Sequence, residues 1–215
     1  MSIVVLISGD GSNLQALIDA KLDTPISHVI SSSADAYGLE RAAKSGIPTT
    51  VLSLKRYYQG IPKQETEQRT QARAKFNVDL ADLIVSLGPT LVVCAGWMLI
   101  LAQSTLSVLE EHSIDIINLH PALPRAFPGI HAIERAWQAG QDGTAKCGGV
   151  MIHYVIAAVD EGSPLFVDEI PFIKDETVDT YKARVRLHEH KAIVMGTRIA
   201  LTKCRKPKTD TVSEP

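Results

Sequence analysis

Cysteine is scarce in this chain of 215 residues: Cys94, Cys147 and Cys204 are an odd number with no Cys-x-x-Cys spacing. That pattern argues against a disulfide framework or a structural zinc site and predicts a reducing, cytoplasmic setting. No run of about 18 apolar residues occurs, so no membrane-spanning helix is expected. Charge of either sign is not in excess: 22 basic and 24 acidic residues leave a net charge of −2. A nucleic acid or an anionic membrane is therefore not an expected partner, and any anion site must be local. A basic leader with a cleavage site is also missing, because Met1 to Ile7 run straight into a glycine turn, as a first strand would. Neither an internal repeat nor a linker divides the chain. One domain is expected over residues 1–204, with a flexible polar tail over 205–215.

What is present alternates between strand and helix patterns. The apolar run Ile3–Ile7 is followed by Ser8-Gly9-Asp10-Gly11-Ser12-Asn13 and then by Leu14, Leu17 and Ile18 at helical spacing. Strand, glycine turn and helix open a parallel α/β unit, with Ser12 or Asn13 as the expected cap and the free amides of the helix start as an anion pocket. The third glycine of the dinucleotide fingerprint is missing, since Asn13 and Leu14 stand there. The loop therefore favours a small phosphate over a dinucleotide. Further strands are expected at 28–31, 49–52, 91–95, 114–117, 150–155 and 165–172. Helices are expected over 37–45, in a long stretch ending at Gly88-Pro89, around Ile133 to Trp137 with a stop at Gly140, and from Thr177 onward. In the last helix Val178, Tyr181, Val185, Ala192, Met195 and Ile199 form the apolar stripe, while Lys182, Arg186, Glu189 and His190 share a polar face. The fold class is thus α/β: a single-domain, Rossmann-like, mainly parallel twisted sheet with flanking helices and an antiparallel C-terminal extension.

Chemistry concentrates at Ile116-Ile117-Asn118-Leu119-His120-Pro121. Side chains alternate along a strand, so Asn118 and His120 share one face, and Pro121 and Pro124 turn the chain at the sheet's carboxyl edge, where open α/β sheets place their sites. An amide and an imidazole presented together suit acyl transfer, in which a carbonyl becomes an oxyanion and the attacking group loses a proton. Taken alone, such a pair more often serves as turn-forming and core-satisfying residues than as catalysts. A second acid lies in the turn Val159-Asp160-Glu161-Gly162.

Read in order, the glycine loop, Asn118-Leu119-His120-Pro121 and the Asp160 turn resemble the folate-dependent formyltransferase family. The loop from Ser8 to Asn13 points to its branch acting on glycinamide ribonucleotide. The resemblance runs from about Ile3 to Ile199. It implies transfer of a formyl group from 10-formyltetrahydrofolate, as co-substrate, to the amine of glycinamide ribonucleotide in purine synthesis, by a monomer or homodimer. Asn118, His120 and Asp160 match the family's catalytic trio. Gly11, Ser12, Asn13, Pro121, Arg186 and Glu189 match its ribonucleotide site, and Trp97, Met98, Leu99, Ile100, Leu101, Ala157, Ala158 and Asp160 its folate pocket. In this reading the Asn118 amide and a protonated His120 stabilise the oxyanion, Asp160 favours the imidazolium, and neither a metal nor a covalent intermediate is required. His120, His131, His153 and Asp160 offer no helical pair at metal-ligand spacing, and no metal is expected.

The chain departs from the family's pattern at Leu99, where bacterial members carry Arg, and at Val150, Met151 and the segment Lys146-Cys147-Gly148. A formyltetrahydrofolate hydrolase would share the trio and deliver the formyl group to water without needing the Gly11 loop. A non-catalytic nucleotide-binding module would use that loop and leave the trio unexplained.

Overall fold

A computed structural model describes residues 1–204; the tail expected over 205–215 lies outside the described residues. Seven strands form one sheet: β1 (Ile3–Ile7), β2 (Ile26–Ser31), β3 (Thr49–Val51), β4 (Leu91–Cys94), β5 (Asp115–His120), β6 (Cys147–Tyr154) and β7 (Pro164–Pro171). Their order is β3-β2-β1-β4-β5-β6-β7. The first five are parallel, whereas β6 runs antiparallel to β5 and β7 antiparallel to β6. The order reverses between β1 and β4, the point at which open α/β sheets place their ligand sites.

Both faces of the sheet are covered, so the central strands are apolar throughout. Ile3, Val5 and Ile7 of β1 pack beneath α1 (Ser12–Asp19) and α7 (Val178–Cys204), in a layer that includes Tyr181, Val185 and Ala192. Val4 and Leu6 face the other way, against Phe76, Leu80 and Ile84 of α4 (Thr66–Leu87) and Leu106 and Leu109 of α5 (Gln103–Glu111). The remaining helices are α2 (Gly38–Lys44), α3 (Leu54–Tyr57) and α6 (Ala132–Gln141).

Three local expectations are corrected. Neither Ser12 nor Asn13 caps α1: Gly11 does, at φ 74°, with no side-chain cap bond. Gly140 does not stop α6, because the helix continues to Gln141; the absent Cβ makes room for the Phe172 ring. Met195 is 41% exposed, and the buried stripe of α7 passes instead through Ala192, Ile193, Gly196 and Thr197.

Candidate active site

β5 carries Asn118 and His120 to the sheet's carboxyl edge, in antiparallel register with His153 and Met151 of β6. His120 and His153 are buried. Asp160 approaches them from the turn after β6, at φ 59°, a left-handed conformation that Asp tolerates better than most residues. Gly162 completes this turn against β6; a Cβ there would overlap the Tyr154 carbonyl oxygen.

The expected trio converges. Asp160 Oδ2 lies 3.2 Å from His120 Nδ1, and Asp160 Oδ1 lies 3.5 Å from Asn118 Nδ2 and 3.6 Å from His153 Nε2. Gly129 N–H donates to Asp160 Oδ2 at 2.9 Å. His153, weighed in the sequence only as part of a metal set with His120, His131 and Asp160, belongs to this cluster. Its Nδ1 lies 2.8 Å from the Tyr154 carbonyl oxygen and its Nε2 3.3 Å from Asn118 Nδ2. Among the described residues His120 Nε2 is buried without a hydrogen-bond partner.

Burial lowers the pKa of His120 from its ordinary 6.5 and outweighs the opposing pull of Asp160 and of the Ala126 and Phe127 carbonyls. Burial thus favours the neutral ring, while Asp160 favours the imidazolium. Burial pushes the Asp160 carboxyl up, but the His153 ring, the Gly129 N–H and the charge of His120 together hold it below the usual Asp value.

Gly11 brings the start of α1 against α2. Its positive φ and its approach to Gly38, whose Cα would lie 2.5 Å from an added Cβ, both require glycine. The N–H groups of Ser12 and Asn13 belong to the unpaired first turn of α1. Asn13 Nδ2 donates to Glu189 Oε2 of α7 at 3.4 Å. Burial raises the Glu189 carboxyl against the opposing effects of Asn13 and Arg186, so Arg186 lies within electrostatic reach of this corner. Arg41, not anticipated from the sequence, bonds the Asp10 carbonyl through Nε at 2.9 Å, and its charge together with that of Arg186 reaches His190.

The residues matched to a folate pocket divide. Trp97 and Leu101 are buried in the core after β4, whereas Met98 and Ile100 are exposed, at 73% and 64%. Ser8, at the tip of β1, accepts the Met98 N–H at 2.9 Å, and Arg73 of α4, another residue the sequence did not single out, bonds the Ile100 carbonyl at 2.6 Å. Ala157 and Ala158 are exposed after β6, and Ala157 lines a cavity of about 260 Å³ with Leu106, Ile116, Val155 and Ile156. Pro121 follows His120 directly and is half-buried. Val150 and Met151 are core residues of β6, so their departure from the family pattern falls in the sheet interior. Among the described residues no group of three His, Cys, Asp or Glu side chains could hold a metal ion, and no helix is long and apolar enough to cross a membrane.

A mainly parallel α/β sheet with an amide, an imidazole and a carboxylate at the carboxyl end of β5 defines an acyl-transfer class of site, and residues 1–197 match the formyl transferase family: the chain belongs to it. Within that family its relatives include phosphoribosylglycinamide formyltransferases. The one from Schizosaccharomyces pombe is 47% identical over 94% of this chain and 97% of its own length, and the one from Saccharomyces cerevisiae 49% identical over 95% and 99%. The crystal structure of phosphoribosylglycinamide formyltransferase from Streptococcus pneumoniae superposes with a TM-score of 0.77 at 32% identity, covering 93% of this chain and 98% of that one.

Proposed function

We propose that this formyltransferase moves the formyl group of 10-formyltetrahydrofolate to the amine of glycinamide ribonucleotide, in purine synthesis, with Asn118, His120 and Asp160 as its catalytic residues. The observation that carries the reading is the Nε2 of His120, buried with no hydrogen-bond partner, on a ring whose Nδ1 lies 3.2 Å from Asp160. The amine nitrogen attacks the formyl carbon, and the carbonyl oxygen takes up negative charge. His120 Nε2 accepts the amine proton; the imidazolium so formed is held by Asp160 and, with the Asn118 amide, stabilises the oxyanion. The proton then passes to the folate nitrogen as its bond to the formyl carbon breaks. The long contacts of Asn118 Nδ2, 3.3 and 3.5 Å, are ones that a substrate oxygen can displace.

The phosphate of the ribonucleotide sits, in this reading, on the amides of Gly11, Ser12 and Asn13 with Arg186 beside it, and Glu189 and Pro121 border the glycyl arm. The folate lies along Trp97, Met98, Leu99, Ile100 and Leu101 and against Ala157, Ala158 and Asp160. Met98 and Ile100 offer exposed apolar surface of the kind a flat pterin requires. With Leu99 carrying no charge, recognition of the folate's acidic tail needs another cation. A phosphate anchor also separates transfer from hydrolysis, since positioning the amine contributes roughly 7–11 kcal/mol over an unanchored nucleophile. Purified protein supplied with 10-formyltetrahydrofolate is expected to release tetrahydrofolate rapidly only when glycinamide ribonucleotide is added. Equal rates with and without the ribonucleotide would replace this reading with the hydrolase.

A further inference from the structure

The segment between Pro124 and α6 adopts an unusual backbone: Arg125, Phe127, Gly129 and His131 all have positive φ, at 65°, 49°, 78° and 57°. Three of the four are not glycine, so the conformation costs free energy and needs outside contacts to hold it. Two such contacts act on one peptide unit. The Pro128 carbonyl accepts from Arg135 Nη2 at 2.6 Å, and the N–H of the same peptide, on Gly129, donates to Asp160 Oδ2 at 2.9 Å. The same Nη2 also reaches the Phe127 carbonyl at 2.7 Å, and the guanidinium lies 5.9 Å from the Phe127 ring centroid. Arg135 sits in the first turn of α6, at an exposed position. Among the described residues no carboxylate pairs with it; the neighbouring Glu134 is taken by Lys182 at 2.8 Å. Its Nη2 donors are thus spent on the loop backbone.

We infer that Arg135 is a positioning residue for the transfer reaction, holding the Pro128–Gly129 peptide so that its N–H fixes the Asp160 carboxylate against His120. The inference rests on the reading of Asp160 as the acid of formyl transfer. A planar peptide cannot turn its N–H without turning its carbonyl, so a cation clamping the oxygen sets the direction of the hydrogen. The cation also draws electron density toward that oxygen and strengthens the N–H as a donor to a carboxylate. Arginine suits the task because one guanidinium can bind two successive carbonyls while staying charged. Asp160 needs such a constraint, since it stands in a loop at positive φ and its other neighbours lie at 3.2 Å or more.

The test compares native enzyme with Arg135→Ala and Arg135→Lys in steady-state formyl transfer, thermal denaturation and amide hydrogen exchange. Alanine is a strong helix former, so α6 retains its propensity in the first variant. For Arg135→Ala the expected result is a kcat lower by about tenfold, the scale of one charge-assisted hydrogen bond. The KM for the formyl donor should stay near native, and Gly129 amide exchange should be about tenfold faster. Arg135→Lys, which keeps one cationic bond, should recover part of the rate. An active native enzyme whose Arg135→Ala variant keeps native kcat overturns the inference alone, as does a slowed variant with unchanged Gly129 exchange. A native protein with no formyl transfer overturns the transferase reading and the inference with it.

Discussion

Asp160 shows how one side chain is committed to a single task. Its carboxylate takes the Gly129 N–H, faces His120 and His153, and sits in a turn that Gly162 alone can close against Tyr154. Burial by itself would favour the neutral acid, and the surrounding donors reverse that balance. Asp160→Asn keeps the size and much of the hydrogen bonding while removing the charge, so an imidazolium on His120 loses its counterion at the moment of transfer. The expected outcome is a kcat reduced by about 10²- to 10⁴-fold with folate affinity close to native. Binding by fluorescence titration alongside steady-state rates checks both halves, and a variant that retains native kcat would remove Asp160 from the proton path.

At the scale of elements, the decisive feature is how α7 lies on the sheet. Gly196 faces Ile152 of β6 so closely that an added Cβ would come within 2.5 Å of Ile152 Cγ2 and 2.6 Å of its Cβ. Helix propensity alone would make Gly196→Ala stabilising by about 1 kcal/mol. Overpacking a close-packed layer costs about 1–3 kcal/mol, and Ile152 is β-branched on a central strand with little room to yield. The overpacking term should win, giving a lower urea midpoint at unchanged m-value; a higher midpoint would show that α7 shifts without penalty.

The same contact explains why part of this fold was legible in the sequence and part was not. β1 and β4 read directly as strands because strands buried on both faces are unbroken apolar runs, and Gly88 marked the end of α4 through its left-handed cap. Gly140 and Met195 misled because their neighbours, Phe172 for the first and the packing of α7 on β6 for the second, are distant in sequence. The meeting of Asn118 with His120 followed from strand parity. That His153 and Gly129 join them depends on register with β6 and on a loop of positive φ, which no local pattern encodes. Arg41 and Arg73 escaped notice for a related reason: a cation bonded to a backbone carbonyl leaves no spacing to read.

For the molecule as a whole, burial of histidine links the site to acid stability. His28, His120 and His190 all have pKa values lowered from 6.5, with burial the largest cause in each. They lie on β2, β5 and α7, so the effect spans the sheet. Below pH 6.5 the unfolded chain binds protons that the folded chain refuses, and stability falls with pH until the folded values are reached. Glu189 acts in the opposite sense, since its raised carboxyl lets the folded state take up a proton first; it is one group against three, starting from an ordinary value of 4.5. The melting temperature is therefore expected to be level between about pH 8 and 7 and to decline from about pH 6.5 toward 5.5. His190→Gln should flatten part of that decline, because a neutral amide replaces a ring whose protonation is opposed by Arg186 and Arg41. Differential scanning calorimetry across this range decides the matter: a melting temperature that does not change between pH 7.5 and 5.5 would mean that these rings charge as readily in the folded chain as in the unfolded one.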